Sequence, residues 1–264
     1  MEARSTVLRA LFVLVSVLLF AAIAGAAEVK VMFSGGFSAA LHELGPEFER
    51  TTGNKVVLIS GPSMGTTPQA IPNRIQRGEP VDVVIVVGYA LEDLIKQGKV
   101  ISDSRVDLAQ SGVGVAVRAG TPKPDISSAD ALKNTLLRAK SIAYSDSASG
   151  VYVSTELFQR LGIADQVKGK SRMIPAEPVG KVVARGEAEI GFQQISELRP
   201  VSGIEVVGPL PPGLQKMTVF SAGVATSTKE SEAARAFIRF LASPAAAPVV
   251  TKTGMEPMTL AKQK

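Results

Sequence analysis

From Pro80 to Gly88 the chain runs Pro-Val-Asp-Val-Val-Ile-Val-Val-Gly. A strand that is apolar on both faces must be covered on both faces, which is the condition of a parallel strand between two layers of helices. The flanking segments fit that demand. Val29-Lys30-Val31-Met32-Phe33 predicts a short strand, Ser34-Gly35-Gly36-Phe37 a turn, and a helix follows from about Ser38. Leu41, Leu44 and Phe48 then recur at helical spacing, and Gly53-Asn54 stops the run. A second strand over 55–60 ends in a Ser/Gly/Thr loop over 60–67 and leads to a helix over 69–77 that closes at Gly78. The apolar strand comes next, followed by a helix over 90–96 closed by Gly98. Strand and helix alternating at this pitch predict a doubly wound α/β unit, whose ligands sit at the carboxyl ends of the strands. The Ser/Gly loops fall at those ends.

A strand over 111–118 and a similar one over 216–225 bracket a second α/β set. Within it lie a strand over 141–144, the loop Ser145-Asp146-Ser147-Ala148-Ser149-Gly150, and a helix over 151–161 stopped at Gly162. A helix over 178–185, a strand over 189–194 and a short helix over 195–198 complete it. The arrangement predicts two α/β lobes joined by two crossing hinge segments. Lobe I spans 28–109 and 224–264, and lobe II spans 110–223.

Residues 1–26 have the form of a secretory signal peptide. Arg4 and Arg9 precede an apolar run over 10–23, and Ala24-Gly25-Ala26 supplies a small-x-small cleavage pattern. The run is short for a spanning helix. Cysteine is absent, so the chain has no disulfide, no thiolate metal ligand, no thiol nucleophile and no cysteine for a lipid anchor. A leader without an anchor predicts a periplasmic protein. The formal charge of +5 loses two cations and one anion with the leader. The remaining excess is dispersed and Trp is absent, which excludes a typical nucleic-acid surface. A weakly positive field favours encounter with a small anion.

The chain has no phosphate-binding Gly-x4-Gly-Lys-Ser/Thr loop and a single histidine, His42, placed on a helix turn as a surface or cap residue. One histidine and no cysteine make a transition-metal cation site unexpected. Asp82 is expected to be structural, and Arg74 is a weaker candidate for a substrate carboxylate. The chain is therefore expected not to be an enzyme, to carry no cofactor, and to act as a monomer without nucleic-acid partners. A secreted enzyme is the rival class. The ligand-sensing half of a transcription regulator is the third, opposed by the leader and by the lack of a helix-turn-helix segment.

The order of motifs resembles the periplasmic molybdate-binding proteins of ABC importers, within the type II extracellular solute-binding proteins. Arg74-Ile75-Gln76-Arg77-Gly78-Glu79-Pro80-Val81-Asp82, Asp146-Ser147-Ala148-Ser149-Gly150-Val151-Tyr152 and Gly186-Glu187-Ala188-Glu189-Ile190-Gly191-Phe192 carry the likeness. The resemblance implies hinge closure around a small oxyanion, molybdate or tungstate, and its delivery to a membrane permease. Such proteins hold the dianion with neutral donors: serine hydroxyls, backbone N–H groups and, in many members, a tyrosine hydroxyl. Carried onto this chain, the donors are Ser34, Gly35, Gly36 and Ser38 of the first loop, and Ser63 and Thr66 of the second. Ser149 of the third loop, the Val179 N–H and Gln194 complete the set. The sequence departs from the pattern at Gly36, where the family's serine falls, at Ser149 in place of alanine, and at Gln193 or Gln194 in place of tyrosine. Those departures, with Phe37 and Met64, suit a small organic di- or tricarboxylate, which is the alternative ligand.

Overall fold

The computed structural model describes residues 26–175 and 177–258. All but the last position of the expected leader lies outside them. The sheet starts with β1 (Glu28–Phe33), whose neighbours β2 (Lys55–Ser60) and β3 (Val83–Val87) both run parallel to it. Every residue of β3 is buried, as its uninterrupted apolar run requires. Helices α1 (Ser38–Thr52) and α2 (Ile71–Gln76) connect these strands, and α3 (Gly88–Lys96) follows β3. Leu41, Leu44 and Phe48 form the buried stripe of α1, and Gly53 closes that helix in the left-handed conformation at φ 76°.

β4 (Val106–Arg118) joins the two halves of the molecule. Its first part pairs antiparallel with β9 (Met217–Val224), and its last part pairs with β7 (Ile190–Gln194) and β8 (Ile204–Pro209). The second half adds α4 (Ala129–Arg138), β5 (Ile142–Ser145), α5 (Ala148–Tyr152), α6 (Ala164–Lys168), β6 (Ser171–Ile174) and α7 (Val179–Ala184). β5 lies parallel between β6 and β7. The overall strand order is β2-β1-β3-β9-β4-β7-β5-β6. Helices α8 (Ile195–Leu198), α9 (Ser231–Leu241) and α10 (Ala247–Lys252) and the short β10 (Glu256–Pro257) finish the chain.

The packing separates into two halves. One core is drawn from residues 29–109 and 220–255, the other from 113–214. β9 pairs along β3 from Phe220 to Val224, so it belongs to the first sheet, although the expected boundary at 223/224 cuts through it. β4 begins at Val106, five residues before the apolar run that announced it. Gln215 fastens the crossing point: its side chain accepts the Val113 N–H at 2.8 Å and donates to the Val113 carbonyl at 3.0 Å. Asp82 is structural, accepting the Lys30 N–H at 2.7 Å and the Thr228 hydroxyl at 2.5 Å. Among the described residues no helix is long and apolar enough to cross a membrane.

Candidate functional site

The strand ends of the two halves face each other across a cavity of about 280 Å³. One wall comes from the loops after β1 and β2, with Ser34, Gly35, Ser60, Gly61 and Gln69. The opposite wall comes from the loops after β5 and before α7, with Ser145, Asp146, Ser147 and Glu177. Gln193 at the end of β7 and Glu197 on α8 form the base. The ligand-facing loops are therefore those that a doubly wound topology places at the carboxyl ends of its strands.

Several glycines in these loops have no room for a side chain. A Cβ on Gly150 would stand 1.6 Å from the Ser145 carbonyl oxygen, and one on Gly61 would stand 2.5 Å from the Gln69 carbonyl oxygen. A Cβ on Gly35 would meet the Glu197 carboxylate, so the first loop passes directly over that acid. Gly36 turns away from the cavity and onto Phe220, whose ring would lie 2.1 Å from a Cβ there. A serine at this position is excluded by packing, which accounts for the departure from the molybdate-binding pattern.

Glu197 dominates the electrostatics. It lies only partly exposed, in the first turn of α8. Withdrawal from water pushes its carboxyl up to about 7 from an ordinary 4.5, and the negative Asp146 adds to the rise. The Gln193 side chain and the Gln194 backbone N–H donate to it and oppose the rise. Glu177 differs. Arg185 grips it with contacts of 2.6 and 3.1 Å, and the guanidinium holds this carboxyl below its ordinary range. Among the described residues lining the cavity there is no Lys or Arg.

Of the residues named from sequence, Ser34 and Gly35 line the cavity. The Ser63 hydroxyl is buried and accepts the Val87 N–H at 3.1 Å. The Ser149 hydroxyl is buried against that of Ser145 at 2.9 Å. The Val179 N–H donates to Gln193 Oε1 at 2.8 Å. Gln194 faces the other side of β7, where its oxygen accepts from Thr218 at 2.8 Å and its nitrogen donates to the Ser111 and Gly112 carbonyls. Gly36 packs inward, and Ser38 and the exposed Thr66 stand outside the cavity lining. Glu197, Asp146, Gln69 and Ser60 escaped the sequence reading. The available signal was the acid of Ile195-Ser196-Glu197-Leu198, placed in the first turn after a strand end, where a carboxylate is favoured. Side-chain alternation also requires Gln193 and Gln194 to face opposite ways.

Over residues 29–256 the chain matches the family model for bacterial extracellular solute-binding proteins. It is 53% identical over 230 residues to an aconitate isomerase of a Pseudomonas species, covering 87% of this chain and 88% of that one. It is 29% identical over 247 residues to the molybdate-binding protein ModA of Azotobacter vinelandii, covering 89% and 92%. The solved structure of the Azotobacter vinelandii periplasmic molybdate-binding protein superposes with a TM-score of 0.69 at 24% identity, over 86% of this chain and 98% of that one. The fold is the two-lobed type II periplasmic-binding-protein fold. The expectation of a chain that is not an enzyme is corrected by the Pseudomonas relative, which bears an enzyme's name at 53% identity over most of both chains. That expectation rested on the single histidine and the missing phosphate-binding loop, and proton transfer by one carboxyl needs neither.

Proposed function

The chain belongs to the bacterial extracellular solute-binding protein family, and from that premise we propose that its interlobe cavity binds aconitate, or a closely related unsaturated tricarboxylate, and isomerises it. The observation that carries this reading is Glu197, a carboxyl brought to about 7 beneath the first glycine loop of the cavity. A base for proton abstraction works best with a pKa near the operating pH. The 53% identity to an aconitate isomerase supports the substrate.

In aconitate a methylene lies beside the carbon–carbon double bond. Glu197 removes a proton from that methylene, and the electron pair spreads over the allyl unit and its carboxylates. Addition of a proton to the far carbon shifts the double bond by one position, and the new bond closes in the other geometry. One proton leaves and one returns, so the step needs no oxidant. The hydroxyls of Ser34, Ser60 and Ser147 and the side chain of Gln69 supply neutral donors for the substrate carboxylates.

Molybdate and tungstate fit this cavity less well. The hydroxyls of Ser63 and Ser149 are engaged within the protein, and Gly36 offers none. Family membership favours a second role, hinge closure on a bound anion and its delivery to a permease from the periplasm, with residues 1–26 as the leader.

The test is proton NMR of cis- and trans-aconitate incubated with the purified protein lacking residues 1–26. Interconversion is expected, and Glu197→Gln should lower kcat by about 10²- to 10⁴-fold. The same variant should still gain thermal stability when aconitate is added. Turnover unaffected by Glu197→Gln would remove the carboxyl from its role. Stabilisation by aconitate without turnover in the parent protein would leave a transport protein for organic acids.

A further inference from the structure

A proton-transferring carboxyl must be held in place and must remain ionisable where water is scarce. Resting on the reading of Glu197 as the base, we propose that Gln193 is the positioning residue for that carboxyl, with its amide orientation fixed by the Val179 N–H.

The geometry leaves the amide one orientation. Gln193 is almost wholly buried at the end of β7. Its Oε1 accepts the Val179 N–H at 2.8 Å, and that N–H belongs to the first residue of α7, where no intrahelical partner exists. A backbone N–H can only donate, so the amide oxygen must face it and the NH₂ must face away. On the far side the side chain donates to Glu197. The orphan donor of one helix is thus converted into a donor aimed at a carboxyl on another, α8.

One charged group near Glu197 pushes the other way. Asp146, from the loop after β5, is negative and opposes ionisation. Glu177, before α7, also lines the cavity, although Arg185 neutralises it. The first and second loops line the cavity with uncharged residues, Ser34, Gly35, Ser60, Gly61, Pro62 and Gln69. Two donors hold the ionised carboxyl, the Gln194 backbone N–H and the Gln193 side chain. Only the second can be removed by substitution without altering the backbone.

The test uses Gln193→Met, which keeps length and apolar bulk but loses both polar atoms. A hydrogen bond to a charged group supports a shift of roughly one to two pH units when it is lost. The acid limb of the kcat/KM profile for aconitate should move upward by that amount, with about a tenfold loss of activity per unit below the new limb. A structural role alone would lower the plateau and leave the limb where it was, and that result would overturn the proposal. Val179→Pro is the second variant. Proline suits the first position of a helix, and Pro178 before it is already extended at φ −59° and ψ 124°. It removes the N–H that fixes the amide, so it should shift the limb in the same direction by a smaller amount. The Glu197 carboxyl is also titrated by carbon-13 NMR in the parent and in both variants, without substrate. If the parent does not isomerise aconitate, the proposed activity fails. The NMR titration still decides whether Gln193 sets this carboxyl: an upward shift supports it, and an unchanged value refutes it.

Discussion

Replacing Glu197 with glutamine should change the pH dependence of folding as well as activity. In the unfolded chain this carboxyl titrates at 4.5, and in the folded protein at about 7. Between those values the folded state holds a proton that the unfolded state has lost, so raising the pH favours unfolding. The stabilising effect of the protonated acid is fully present below 4.5, declines as pH rises, and is gone once pH passes the folded value. At 1.36 kcal/mol per pH unit, the difference amounts to about 3 kcal/mol. Glutamine keeps the shape and cannot ionise, so its contribution is flat. Urea unfolding of the substrate-free protein at pH 4.5, 6 and 8 measures the effect directly. The variant should gain on the parent steadily with pH, ending about 3 kcal/mol ahead of where it started, while losing turnover. Parallel stability curves across that range would refute the burial argument, and with it the reason for expecting a base near neutral pH. Such a pairing, more stable and less active, is the usual mark of a site held in an unfavourable state for its chemistry.

Two further outcomes follow from the loop glycines. Gly36→Ser, which restores the residue found in molybdate binders, should destabilise the protein by about 1–3 kcal/mol through collision with Phe220. Adding Phe220→Leu should recover part of that loss in a double-mutant cycle, and strictly additive costs would show that the two sites do not touch. Gly150→Ala should be worse, since its Cβ would press on the Ser145 carbonyl, a backbone atom that cannot swing aside. A lowered melting temperature together with weakened stabilisation by aconitate checks it.

The sequence made the layer architecture visible because β3 is apolar on every position and the helices around it end at glycines. It hid the start of β4, where Val106, Asp107 and Gln110 mix polar and apolar residues because that stretch sits between β9 and the short β10. At the site, loop positions were legible and side-chain directions were not. Ser63 and Ser149 occupy the expected loops, yet their hydroxyls are spent on Val87 and Ser145. Whether a serine faces a ligand or its own backbone depends on contacts made between residues far apart in the chain, such as the 24 positions separating Ser63 from Val87. Glu197 is hard to read from sequence for a related reason. One acid on a four-residue helix has no pattern, and its importance comes from the Gly35 backbone that crosses above it.

The strand shared by both sheets also sets an order of assembly. The second core uses residues from a single stretch, 113–214, and can complete itself as soon as that stretch is available. The first core cannot. β3 needs β9 as its antiparallel neighbour, and Phe237, Ile238 and Val250 are part of the same packing. The half that is made first is therefore finished last. The cavity between the halves therefore needs nearly the whole chain before both of its walls are complete.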